Sequence, residues 1–392
     1  MARAHWLNAD FDLSFRPSGF PSDYQRQVDE LSLHGLMAGE PEDRVLVDVI
    51  LPPDFLSALE ASGLPLARPI QRADADPEDD FAPWGWNARA AAMARTFRRP
   101  ASHPPVEVVA KVNGRQFSHD LERRLDGDSI ALGTVTDLGS VVALAAKTGD
   151  VLVKAEHSNA GVGHRRIRRP ELTATDRRWL VATLAQGPVV VERWLERTAD
   201  LCAVYDVDDD GAARNLAVHE AIHTADGAFL GALYGDDAAA HPWRDAIERS
   251  VAQVAAAVHA AGFTGPVCQD ALVWSDDGRP RVRPLVEINA RRHVSEGWAR
   301  LGRLVGGVVY GRFFAARKLR LPESYEAFQR ALGGDAWRTA ERRGVVPTSP
   351  LWFQDGDERR RPFKIGVALC RDSRAEVMAM EERFRDRFEA GR

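Results

Sequence analysis

The sequence predicts a mixed protein, α/β at its start and α+β thereafter, built from more than one domain. Three observations carry this expectation. Residues 1–110 alternate short apolar runs with helical stretches, as α/β units do. Residues 201–207, 214–223 and 228–233 are apolar runs separated by Asp/Gly turns at 208–211 and 225–227, which reads as an antiparallel meander. Residues 267–293, VCQDALVWSDDGRPRVRPLVEINARRH, place two apolar runs around a polar turn at 275–280, which is a hairpin. A length of 392 residues favours two or three domains.

In chain order, 45–51 (VLVDVIL) reads as a strand, stopped by Pro52 and Pro53. Residues 54–62 form a short helix closed by Gly63, and 72–80 (RADADPEDD) is an acidic loop. PWGWN at 83–87 leads into an alanine-rich helix to about Phe97, and 106–112 (VEVVAKV) reads as a second strand. Helices follow at 118–125 and 137–148, the second with Asp137 as N-cap and Gly149 just past its end. Residues 151–155 (VLVKA) form a strand that enters a small-residue loop, SNAGVG, at 158–163. A helix at 173–186 stops at Gly187-Pro188, and 189–194 (VVVERW) is the next strand. After the meander, Trp243, Ile247, Val251, Val254 and Val258 recur at helical spacing up to Gly262. Beyond the hairpin the chain reads as helical at 308–319 and 323–332, then as a strand at 363–369 and a charged helix at 373–388.

The bulk properties narrow the function classes. A net charge of −5 and a pI near 6.2 provide no global basic field for nucleic acid. No apolar run reaches the ~18 residues of a membrane span, and the N-terminus lacks a signal layout, so a cytoplasmic protein without a membrane partner is expected. Cys202, Cys268 and Cys370 are scattered through apolar runs, with no CxxC, and each reads as a buried small hydrophobe.

The hairpin carries the chemistry. Asp270 sits on its first strand, and Glu287 and Asn289, two residues apart, share a face of the second. Three oxygen donors converging across a hairpin suit a hard cation such as Mg2+ (or Mn2+), which also carries nucleotide phosphates. Lys154 ends a strand just before the 158–163 loop, whose amides can form an anion-binding nest; the order of residues is not that of a Walker A loop. Glu192 lies where an apolar strand leaves the core, a place for an adenine edge, and Asp200 could accept from ribose hydroxyls. Arg291 follows the carboxylates and could steady a transferring phosphoryl group. His219 and His223 are roughly 13 Å apart if on one strand and read as ordinary residues. His157 and His164 bracket the loop, and the aromatic stretches 6–12 and 83–87 could line a pocket.

Taken in order, VLVKAEHSNAGVG at 151–163, VVVERWL at 189–195 and VCQDALVW…LVEINAR at 267–291 resemble the ATP-grasp superfamily of carboxylate–amine or carboxylate–thiol ligases, over about residues 113–304. The resemblance implies ATP between two α+β lobes. Lys154 would hold phosphates beneath a loop containing Ser158, Gly161 and Gly163. Glu192, Trp194 and Leu195 would frame adenine, and Asp200 would hold ribose. Asp270, Glu287 and Asn289 would carry Mg2+, with Arg291 as the catalytic cation. It implies a small carboxylate, activated as an acylphosphate and captured by an amine, and a homodimer is a common state of such enzymes. A kinase acting on a hydroxyl and a nucleotide-binding regulatory module are the alternatives. The family's second nucleotide lysine has Arg115 or Lys111 as its counterpart, the usual proline after the strand lysine is Ala155, and the loop is poorer in glycine. The implied division is an N-terminal α/β domain at 1–112, a small lobe at 113–195, a large lobe at 196–304 and a C-terminal elaboration at 305–392.

Overall fold

The chain is described by a computed structural model over residues 2–17, 24–99, 102–125, 130–158, 163–168, 172–225, 227–236, 238–355 and 358–390. Its first sheet is parallel, in the order Arg68–Gln71, Arg44–Val47, Arg3–Trp6, Asp80–Pro83. Only 45–51 of this sheet was expected from sequence, because strands of four residues are too short to show a period. The sheet order reverses direction between Arg3–Trp6 and Asp80–Pro83, and crevices beyond the carboxyl ends of such strands are where ligands bind in open α/β sheets. The loop carrying Asp12 and the segment carrying Trp84 both leave the sheet there.

Residues 106–112, expected as a strand, are the helix Val106–Val112. Pro105 is its N-cap, and Val109 and Val112, three apart, are fully buried. Burial of one helical face overrides the β propensity of the valines. The helix Arg115–Leu125 follows at once, and Asn87, Asp137, Thr173 and Ser373 cap their helices by accepting from backbone N–H groups one turn on.

The second sheet is antiparallel, in the order Ala131–Val135, Val189–Arg193, Val151–Ala155, His164–Ile167. One face packs on the helices Leu138–Thr148 and Ala174–Leu184 through Val141, Val153, Leu180 and Val191.

The largest sheet has eight strands, all paired antiparallel: Arg279–Asn289, Gly265–Asp276, Arg197–Val207, Ala213–His223, Phe229–Tyr234, Val308–Ala315, Lys364–Arg371 and Gly344–Pro347. Residues 308–319, expected as a helix, thus contribute a central strand. Seven of the eight residues of VVYGRFFA are buried, so both faces are covered and no alternation distinguishes the run from a buried helix. Its Gly311 lies against the Trp298 ring, where a Cβ has no room. The segment after residue 304 therefore completes the same sheet as the hairpin, and a boundary at 304 passes through continuous hydrogen bonding.

On the hairpin half of this sheet, period-2 alternation separates core from cavity. Leu201, Ala203, Tyr205, Val207 and Val267 pack beneath the helix Arg244–Ala260, which presents Val251, Val254 and Val258. Cys202, Cys268 and Asp270 face the other way, into a cavity. Among the described residues no helix is long and apolar enough to cross a membrane.

Candidate active site

The hairpin turns on Asp277 and Gly278, whose φ values of 48° and 79° are those of a two-residue type I′ turn. Its register sets Asp270 directly opposite Glu287, and Cys268 opposite Asn289. Glu287 and Asn289 therefore share the cavity face, as their spacing predicts. The ladder is irregular between Arg283 and Glu287, where Pro284 has no N–H to give and its carbonyl accepts from the Gln269 amide at 2.8 Å.

These side chains border a cavity of ≈330 Å³. Arg115, Lys154, Ser158, Glu192, Trp194, Leu195, Asp200, Asp270, Glu287, Asn289 and Arg291 all line it. Residues far apart in sequence, from two sheets, one helix and the segments that follow them, thereby border one cavity. Gly163 does not line it; it packs on Ser158, where an added Cβ would collide, and its carbonyl accepts from Ala155 N–H at 2.8 Å. Gly161 lies outside the described residues.

The hydrogen bonds show how each group is held. Arg115 donates to the Ser158 carbonyl at 3.0 Å and its Oγ at 3.2 Å, and ion-pairs with Glu287 at 2.6 Å. Lys154 Nζ lies 2.9 and 3.0 Å from the two carboxylate oxygens of Glu192. Arg283 reaches the same carboxylate at 2.9 and 3.1 Å and forks onto Glu122 at 2.7 and 2.6 Å. Two cations and two carboxylates thus form a closed buried network that joins the second sheet and the helix Arg115–Leu125 to the hairpin. Burial alone would raise Glu192, but the charges of Arg283 and Lys154 hold it well below the usual carboxylate range.

The metal candidates are in the opposite state. Burial pushes Glu287 up to about 7, partly offset by Arg115 and reinforced by Asp270. Asp270 is also raised by burial, although His223, Arg291 and an Asn289 Nδ2 donor at 3.1 Å pull the other way. Two facing, half-buried carboxylates whose ionisation is opposed by desolvation and by one another are a donor set that a hard divalent cation would stabilise in the charged form. On this chemistry the residues fit Mg2+.

Asp200 accepts from His223 Nδ1 at 3.1 Å and lies 3.4 Å from Arg197. Trp194 stacks under the Arg166 guanidinium at 4.2 Å. Arg291 is clamped by Asp12 through contacts of 2.9–3.1 Å and lies 4.2 Å from the centre of the Trp84 ring. Asn113 donates to Asp12 and accepts from Ala290 N–H, both at 3.0 Å, and so ties the N-terminal loop to the hairpin exit.

Asp12, Trp84, Arg283, Glu122, Cys202, Cys268 and His219 are site residues that sequence reasoning did not assign. The aromatic stretches 6–12 and 83–87 did point towards Asp12 and Trp84. The offset of two between Cys268 and Asp270 signals a shared face, whereas nothing local marks Glu122 or Arg283. His219, read as ordinary, lines the cavity with its ring 4.5 Å from Tyr234, and burial pushes it down to about 3. Of the loop histidines, His164 borders the cavity and His157 packs on Phe15 at 5.5 Å.

No protein-family model matches the chain, and no curated protein matches it significantly. Solved structures do. Phosphoribosylamine–glycine ligase from Thermotoga maritima aligns over 99% of this chain and 97% of its own, with TM-score 0.57 and 13% identity. N5-carboxyaminoimidazole synthetase from Staphylococcus aureus, complexed with ADP, aligns over 92% and 94%, with TM-score 0.53 and 12% identity. Biotin carboxylase from Campylobacter jejuni, as a β,γ-ATP complex, aligns over 79% and 74%, with TM-score 0.54 and 13% identity. Likeness at such identities is a likeness of fold, and it agrees with the order of motifs along the sequence: this chain has the ATP-grasp fold.

Proposed function

We propose that the protein is an ATP-dependent ligase that activates a small carboxylate for capture by an amine, with release of ADP and phosphate. The observation that carries this reading is the convergence on one cavity of Asp270, Glu287 and Asn289 from the hairpin and Arg115 and Lys154 from the small lobe. That convergence occurs in a fold shared with enzymes solved with ADP.

MgATP, when bound, supplies the phosphoryl group that turns a carboxylate oxygen into a leaving group. Asp270, Glu287 and Asn289 would hold the cation. Lys154 and Arg115 would meet phosphate oxygens, which requires Lys154 to exchange part of its Glu192 contact. Trp194 and Leu195 would flank the base, Asp200 would accept from ribose, and Ser158 would lie against the phosphates. Arg291 is positioned by Asp12 and Trp84, so its guanidinium presents a fixed charge beside the carboxylates with little reorganisation. Phe313 and Lys364 also line the cavity, and the carboxylate and amine substrates would bind on their side of Arg291. On this reading 1–112 acts as the N-terminal domain and 113–195 as the small lobe, and the large lobe that begins at 196 takes in the strands after residue 304 that complete its sheet.

Incubation with ATP, Mg2+ and pooled amino acids, followed by mass spectrometry, tests the reading. ADP and a condensation product should appear together and vanish with Glu287→Ala. A phosphorylated product that persists without any amine would instead indicate a kinase. If ADP and ATP fail to bind at all, the proposal is wrong.

A further inference from the structure

The floor of the cavity is a transverse row across five strands. Register places Glu287 opposite Asp270, Asp270 opposite Cys202, and Cys202 opposite His219. Continuing the antiparallel register from Glu220–Leu233 brings Tyr234 beside His219. Cys268 stands two residues before Asp270 on the same face. The carboxylate end of this row has a role in the proposed function. The sulfur end has none.

We infer that Cys202, Cys268 and Asp270, with His219 as a fourth donor, form a binding site for a thiophilic divalent cation such as Zn2+. One donor atom from each of Cys202, Cys268 and Asp270 lies within 4.8 Å of the others. Zinc–sulfur bonds of about 2.3 Å in a tetrahedron put donor atoms roughly 3.8 Å apart, so adjustments under about 1 Å close these three donors on a cation; His219 stands outside that 4.8 Å group and joins it by a larger turn of its side chain. Cys268 Sγ is 3.8 Å from Asp270 Oδ1. An independent observation comes from His219: its Nδ1 is buried without a partner, its residue is 4% exposed, and its ring is held against Tyr234 directly across from Cys202. A neutral imidazole with an unused nitrogen is a common companion ligand to a pair of thiolates in zinc sites. The placement of the thiols is also selective. The neighbours of Cys202 in sequence, Leu201 and Ala203, face the apolar core, while both sulfurs lie beside Asp270; Cys370 lies four strands further along the sheet, among apolar side chains.

Binding forms two metal–sulfur bonds and releases two thiol protons to solvent. Because Asp270 belongs to both donor sets, the soft cation and Mg2+ exclude one another, and a thiophilic metal shuts off nucleotide binding. That last consequence rests on the proposed function; the metal site itself does not.

The test uses the full chain under a phosphine reductant, titrated with Co2+ alone and followed by thiolate-to-cobalt charge-transfer absorption. One equivalent should develop the band and Zn2+ should displace it. Cys202→Ser and Cys268→Ser should each abolish it, His219→Gln should weaken binding by about 10- to 100-fold, and Cys370→Ser should leave it intact. Circular dichroism and cooperative unfolding establish that each variant is folded. Folded wild type without the band, or a band that survives in Cys202→Ser and Cys268→Ser, overturns the site. ADP binding in Mg2+ is read separately. Its loss on adding one equivalent of Zn2+ supports a shared Asp270, and unchanged binding overturns the sharing. Absence of ADP binding in metal-free buffer and in Mg2+ alike defeats the ligase reading while the cobalt result stands.

Discussion

Glu287 and Glu192 are both glutamates on cavity-lining strands, the first half-buried and the second buried, yet their surroundings drive them in opposite directions. Glu192 meets two cations, whereas Glu287 meets one cation and a second carboxylate. The first is suited to tying its own sheet to the hairpin through Arg283, and the second to taking up a cation. Glu287→Ala should therefore weaken Mg2+-dependent ADP binding by more than the roughly 10–100-fold typical of an outer-sphere partner; calorimetric titration of ADP with and without Mg2+ checks this. Arg283→Ala should act on stability instead. It leaves Glu122 and Glu192 facing one another without the guanidinium that bridges them, and loss of one partner from a buried pair costs roughly 3–5 kcal/mol. Urea denaturation measures that loss. Asp12→Ala frees Arg291 without touching the hairpin carboxylates, so turnover should fall while the ADP dissociation constant stays near the wild-type value.

At the scale of elements, the hairpin Gly265–Asp276 and Arg279–Asn289 does most to position the site, because its register decides which side chains meet. Gly278 makes that register possible through its positive φ, and Gly278→Ala should cost about 1–2 kcal/mol through left-handed strain. The loss should appear as a lower denaturation midpoint with ADP binding retained in the folded fraction. The hairpin, the meander and the helix Leu138–Thr148 were legible in sequence because each carries its own signal: Asp/Gly turns between apolar runs, or Asp137 before a helical run. The strand Val308–Ala315 and the helix Val106–Val112 were not. In the first, burial on both faces erases the period; in the second, valines that favour strands are recruited to a helical face by the core they cover.

For the whole molecule, the network of Lys154, Glu192, Arg283 and Glu122 couples folding to pH. A carboxyl whose folded pKa lies below its unfolded value of about 4.3 adds stability above that value and loses it as pH falls through the folded one. Glu192→Gln should thus destabilise the protein at pH 7, with the difference narrowing steadily below about pH 4. Denaturant titrations at pH 7, 5 and 3 give the comparison. Local sequence is enough to show that a hairpin bearing Asp270, Glu287 and Asn289, a strand lysine and an apolar strand ending in glutamate occur in ATP-grasp order, since turn chemistry and alternation are local. It takes the folded chain to show that Asp12 and Trp84 brace Arg291, that Arg283 ties Glu192 to Glu122, and that residues 308–371 complete the hairpin's sheet. Those contacts join residues up to 279 positions apart, and no local pattern encodes a partner at that distance. The sulfur and imidazole row beside Asp270 belongs to the same class: its members are visible in the sequence, but their alignment is a property of strand order.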